Sequence, residues 1–172
     1  AKLHIATSDY NKVRKNNMGQ YHWKSLFNNF KKYKNREFGD IYKVIQEELD
    51  ILEKQWPLQL PSGVIHADLF QDNVFFKNDE FSGIIDFYFA CNDYYAYELA
   101  VCLNAWCFEK DQSFNTTKAR LILHSYEKEK FLTEEEKKYF PILSRGASLR
   151  FLITRLNDLI FHPKNALVKP KD

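Results

Sequence analysis

The chain has 172 residues, 45% of them hydrophobic, 16% aromatic and 28% charged, which suits one globular domain over residues 1–172 and excludes a disordered or fibrous chain. A formal net charge of +2, with Lys and Arg interleaved among Asp and Glu, argues against a nucleic-acid partner. No apolar run approaches the roughly 20 residues that cross a bilayer and no signal peptide opens the chain, so a cytoplasmic protein with no membrane partner is expected.

In chain order, AKLHIA reads as the inside of an amphipathic helix, and a chain that starts there at Ala1 is expected to be a piece of something longer. Residues 11–36 are rich in Lys and Asn, and the spacing predicts a loop followed by a short helix with Trp23, Phe27 and Phe30 on one face. Asp40 is a candidate N-cap for a helix whose stripe is Ile41, Val44, Ile45, Leu49 and Leu52 and which Pro57 stops. The texture then changes to three short strands, PSGVIHAD, NVFFK and FSGIIDFYF, with KNDE as the hairpin turn between the last two. After Asp93 helices return: YYAYELAVCLNAWCFE, a helix starting at Asn115, and TEEEKKYF with a Thr133–Glu136 capping box. Pro141 is expected to interrupt, and a last helix follows with Arg145, Arg150 and Arg155 punctuating its apolar stripe. Cys91, Cys102 and Cys107 form no CxxC pair, which favours buried thiols in a reducing compartment over a metal site.

The segment HADLFQDN, residues 66–73, carries the chemistry. A loop that leaves one strand and returns to the next can hold Asp68 at its start and Asn73 at its end, and the hairpin then brings Asp86, at the end of SGIID, alongside Asn73. Two carboxylates and an amide oxygen at one edge form a hard-oxygen set suited to Mg²⁺, which takes further ligands from water and substrate phosphates. Phosphoryl transfer needs this division of labour: one carboxylate orients the acceptor hydroxyl and takes its proton, while an Asn and a second Asp hold the metal that neutralises the polyphosphate of ATP. In that order the roles fall to Asp68, Asn73 and Asp86, as in protein kinases. His66 is read as packing and hydrogen-bonding to hold the loop rather than acting as a base, and it counts with Asn73 and Asp86 among the cofactor-binding residues. The structural alternative is that Asp and Asn simply fill turns and caps.

At these residues the chain resembles the aminoglycoside phosphotransferase superfamily, and within it the bacterial homoserine kinases. GVIHADLFQDNVFF, SGIIDFYFACND, ELAVCLNAWCFE, RGASLRFLITRLND and ALVKPKD occur in the order expected of that group. The resemblance implies an α+β fold, the mainly helical C-lobe of a kinase-like architecture with a small β-hairpin cluster, and ATP- and Mg²⁺-dependent phosphorylation of the L-homoserine hydroxyl on the way to threonine. It assigns Asp68 as the catalytic residue and Asn73 and Asp86 as metal ligands, matches His66 to the motif histidine, and puts Glu98 where related kinases often carry an acid, more often Asp, that braces the loop. Asn92, Asp93 and Arg145 are candidates for a zwitterionic acceptor, each with a turn, cap or ion pair as its alternative. Gly19, Gly39, Gly63, Gly83 and Gly146 are too scattered for a phosphate-cradling loop. An N-lobe from the same gene product or a separate polypeptide is therefore the expected partner. The rival expectations are an inactive, truncated homologue and a kinase acting on another alcohol.

Overall fold

The computed structural model describes residues 1–33 and 38–161; the ALVKPKD segment and part of the Lys- and Asn-rich stretch lie outside them. The chain forms two compact units, Ala1–Asn17 with Pro57–Ser144, and Met18–Trp56 with Arg145–Asp172. Its class is α+β: six helices and two small antiparallel sheets among the described residues. None of the described helices is long and apolar enough to cross a membrane.

In the second unit, α2 (Gln20–Lys31) buries Trp23, Phe27 and Phe30 completely on the expected face. Helix α3 (Gly39–Gln55) buries Ile45, Leu49 and Leu52, whereas Val44 is 51% exposed, so the apolar stripe is narrower than its spacing suggests. Asp40 stands in the first turn of α3 rather than at its cap, because the helix already starts at Gly39. A carboxylate there still complements the positive end of the helix dipole. Trp56 leaves the helix in an extended conformation ahead of Pro57, as the residue before a proline favours.

The last helix, α6 (Glu134–Phe161), runs through Pro141 without a break, contrary to the expected interruption. A proline inside a helix costs about 3 kcal/mol. A 28-residue helix that buries Leu143, Ala147, Leu149, Ile153 and Leu156 has enough packing to absorb that. Within the second unit, a Cβ built on Gly146 would land on the indole rings of Trp56 and Trp23, which meet edge to face at 5.2 Å. Gly146→Ala is therefore expected to destabilise the protein by about 1–3 kcal/mol through overpacking, read as a lower urea midpoint with an unchanged slope.

The first unit opens with α1 (Lys2–Ala6). Strand β1 (Ser62–Ile65) pairs antiparallel with β4 (Cys91–Tyr94), Ser62 opposite Tyr94 and Ile65 opposite Cys91. Strand β2 (Val74–Lys77) pairs with β3 (Glu80–Ile84) in a hairpin whose turn residues, Asn78 and Asp79, both have positive φ (53° and 62°). Such a turn matches the twist of the strands and suits Asn and Asp, so KNDE makes the turn it was read to make. Among the described residues there are thus four strands rather than three. The FSGIIDFYF strand stops at Ile84, and CNDY, whose last residue falls in the segment expected to be helical, is β4.

Helix α4 (Tyr95–Trp106) is the apolar centre of this unit, with every residue from Tyr95 to Leu103 buried. Helix α5 (Thr116–Glu129) is capped by Asn115, whose side chain accepts from the Lys118 N–H at 2.9 Å. Leu103, Cys107 and Ala119 join α4 to α5 in one apolar cluster with Trp106, Ile122, Leu123 and Phe140. The Thr133–Glu136 capping box forms, Thr133 N donating to Glu136 Oε2 at 2.8 Å and Glu136 N to Thr133 Oγ1 at 3.2 Å. All three cysteines are free and buried, and burial pushes the Cys102 thiol far above its ordinary range.

Candidate functional site

β1 delivers the chain to His66, and the next residue, Ala67, is turned into the left-handed region at φ 63°. For a buried, non-glycine residue this conformation persists only where its surroundings over-determine it. Here they do. The Glu98 carboxylate, on α4, accepts from Ala67 N at 2.7 Å through one oxygen and from His66 N at 3.1 Å through the other. The second oxygen also takes His4 Nε2 at 2.9 Å, and His4 Nδ1 lies 2.9 Å from the Tyr126 hydroxyl. His4 is 3% exposed and stacks on Tyr95 at 4.5 Å. Burial by itself would raise the Glu98 carboxyl, but the hydrogen bond and charge of His4 and the two backbone N–H groups outweigh it and hold the group below its ordinary value.

His66 is fully buried against Phe87, ring centroids 4.7 Å apart. Its Nδ1 accepts from the Asp68 N–H at 3.3 Å, and its Nε2 donates to the Ile85 carbonyl at 2.9 Å. That network fixes the tautomer with the proton on Nε2. Both ring nitrogens are thus used within the chain, so any effect of His66 on a nucleotide passes through the loop it holds. Trp106 adds a further tie, donating from Nε1 to the Leu69 carbonyl at 2.8 Å.

The sequence from Asp68 to Asn73 closes on itself. Asn73, at the end of a single 3-10 turn (Gln71–Asn73), donates from Nδ2 to the Asp68 carbonyl at 2.8 Å and lies 3.4 Å from Asp68 Oδ2. With the amide nitrogen used within the loop, Oδ1 is an oxygen donor of the type a hard cation takes. The hairpin then sets the opposite side: Val74 pairs with Ile84, and Ile85 N donates to the Asn73 carbonyl at 3.0 Å. Ile85 is held at both its N–H and its C=O, and the next residue is Asp86.

Asp86 is exposed, sits in the left-handed region at φ 60°, and accepts from Tyr88 N at 3.4 Å as the cap of a short 3-10 turn (Phe87–Phe89). Asn73 is thus tied to Asp68, and the residue before Asp86 is tied to Asn73, in a set of hydrogen bonds flanked by two residues of positive φ, Ala67 and Asp86. Among the described residues no group of three or more His, Cys, Asp and Glu is arranged as a complete metal cage. The donor set of Asp86 and the Asn73 amide oxygen fits a cation that draws its remaining ligands from phosphate and water.

The three acceptor candidates lie elsewhere in the network. Asn92 accepts from Arg14 N at 2.8 Å through Oδ1 and donates its own N–H to the Arg14 carbonyl at 2.8 Å. Asp93 accepts from Asn16 Nδ2 at 2.6 Å and from Tyr94 N at 2.7 Å. Both side chains thus clamp segment 14–16 against β4. Arg145, in the second unit, is paired through two nitrogens with Glu48 at 2.7 and 3.0 Å. His4 was not legible as part of the site. A single histidine on a short apolar helix carries no motif, and its partner Glu98 is 94 residues away.

The sequence model of the phosphotransferase enzyme family matches residues 1–132. Homoserine kinases of Nitrobacter hamburgensis and Nitrobacter winogradskyi are 52% and 51% identical over 172 residues, covering 100% of this chain and 53% of theirs. That of Bartonella henselae is 52% identical over 175 residues, 100% of this chain and 54% of its own. The chain spans about half the length of the curated relatives it matches. With a loop, hairpin and brace of this geometry, and a family match over more than half its residues, the chain belongs to the phosphotransferase enzyme family.

Proposed function

We propose that the chain carries the catalytic loop of a homoserine kinase, a cytoplasmic enzyme that transfers the γ-phosphoryl group of ATP to the hydroxyl of L-homoserine in threonine biosynthesis. The observation that supports this most is the Asp68–Asn73–Ile85 hydrogen-bond set, in which Asn73 bonds to Asp68 and Ile85, the residue before Asp86, bonds to Asn73. Similarity to homoserine kinases along the whole chain supports the acceptor.

Asp68 orients the acceptor hydroxyl and takes its proton as the oxygen attacks the γ-phosphorus and ADP departs. Asn73 Oδ1 and the Asp86 carboxylate would hold Mg²⁺, which supplies charge neutralisation of the polyphosphate when bound. His66 and Glu98 keep the loop in its left-handed turn so that Asp68 is already in place before the acceptor arrives. Nucleotide contacts beyond these would come from an N-lobe.

The test is ADP release by the full-length gene product with ATP, Mg²⁺ and a panel of alcohols. Release that requires L-homoserine is expected. Equal rates on choline, an aminoglycoside and homoserine would overturn the acceptor assignment, and the absence of release with every alcohol would favour an inactive homologue.

A further inference from the structure

Among the described residues, two adjacent cations of segment 14–16, Arg14 and Lys15, are in no salt bridge, and of the two only Arg14 carries a guanidinium fork. Segment 14–16 lies against the free edge of β4, in register through a parallel bridge between Lys15 and Asn92. Its main chain is clamped there by the two bonds between Arg14 and Asn92 and by the Asn16–Asp93 bond. The Arg14 guanidinium meets an aromatic ring: its central carbon lies 5.9 Å from the centroid of the Tyr88 ring. The N–H of that same Tyr88 caps the Asp86 carboxylate. Arg14 is exposed, and Tyr88 is 71% exposed, so the fork and the ring are open to solvent rather than packed.

Resting on the homoserine kinase reading, we propose that Arg14 receives the carboxylate of the amino-acid acceptor. A zwitterionic acceptor needs a donor fork for its carboxylate, and a planar guanidinium supplies two parallel N–H groups where an ammonium supplies a point charge. The alternatives are already occupied. Arg145 has its fork filled by Glu48, and the Asn92 and Asp93 oxygens accept from segment 14–16. Asn92 and Asp93 thus act one step removed, as the clamp that sets where Arg14 stands. The cation–π contact at 5.9 Å holds the guanidinium near the Tyr88 ring.

The clamp uses the Arg14 main chain, so substitution of the side chain leaves it intact. Steady-state kinetics of the full-length wild type, Arg14→Gln and Arg14→Lys are compared with L-homoserine and with 3-aminopropan-1-ol, which is homoserine without its carboxyl group. Arg14→Gln is expected to raise the KM for L-homoserine roughly 10- to 100-fold, the size set by loss of a hydrogen bond to a charged group. The KM for ATP and kcat/KM for 3-aminopropan-1-ol should not move, and Arg14→Lys should fall between. An unchanged homoserine KM, an equal loss on both acceptors, or a shift confined to ATP would overturn the assignment while leaving the homoserine kinase reading in place. A wild type that turns over without need of homoserine would instead overturn that reading, and this inference with it.

Discussion

Glu98→Ala is expected to cost about 3–5 kcal/mol of stability, the range for removing one partner from a buried charged network. The carboxylate has three partners: the N–H groups of His66 and Ala67 and the ring of His4. Truncation leaves two backbone donors buried without acceptors and frees Ala67 to leave φ 63°. Urea denaturation reads the total loss, and amide exchange at residues 66 and 67 reads its local share. Glu98→Asp is expected to lose part of this, because a carboxylate one methylene shorter retreats from donors that now sit at 2.7 and 3.1 Å. A loss below 1 kcal/mol in the Ala variant, with unaltered exchange, would remove Glu98 as the brace.

The same group gives the protein an acid limit. In the folded chain the Glu98 carboxyl is held below its ordinary value of 4.5, so the stability it contributes is complete above that value and is lost as the pH falls through the lowered folded value. Stability measured from pH 6 down to pH 3 is expected to fall in the wild type, with a shallower fall in Glu98→Gln, which cannot titrate. Parallel curves would place the acid sensitivity in other carboxylates.

Features that depend on nearby residues were legible in the sequence. The Thr133–Glu136 box spans four residues, the KNDE turn four, and the Asp68–Asn73 closure six, and each carries its own residue chemistry. Features made by distant pairing were not. CNDY has little of the β-branched and aromatic character of a strand; it becomes β4 because β1, nearly thirty residues earlier, offers it an edge. Helix α6 continues through Pro141 because the burial of Leu143, Ala147, Leu149, Ile153 and Leu156 outweighs a local penalty that sequence reading sees in isolation. His4 shows the limit most clearly. Nothing near it in the chain distinguishes it from a core histidine, and its importance lies wholly in the carboxylate it meets across the fold.

Asp68→Asn is expected to lower homoserine-dependent turnover by about 10²- to 10⁴-fold, the range for loss of a positioned general base, while changing stability little. The geometry separates the two effects. Asn73 is anchored to the Asp68 carbonyl at 2.8 Å, whereas its distance to the carboxylate oxygen is 3.4 Å, so the substitution spares the stronger, main-chain bond. Asn also keeps the size of Asp, and the side chain is only half-buried. A fall in kcat with KM for homoserine and ATP nearly unchanged would mark a group that acts in the transition state. Asp86→Asn serves as the contrast: it should raise the Mg²⁺ concentration needed for half-maximal rate, because one of the two protein oxygens proposed to hold the ion loses its charge. If Asp68→Asn kept more than a tenth of the wild-type turnover, the proton would have to leave the acceptor by another route, and the loop's strained turn would serve to place Asn73 and Asp86 alone.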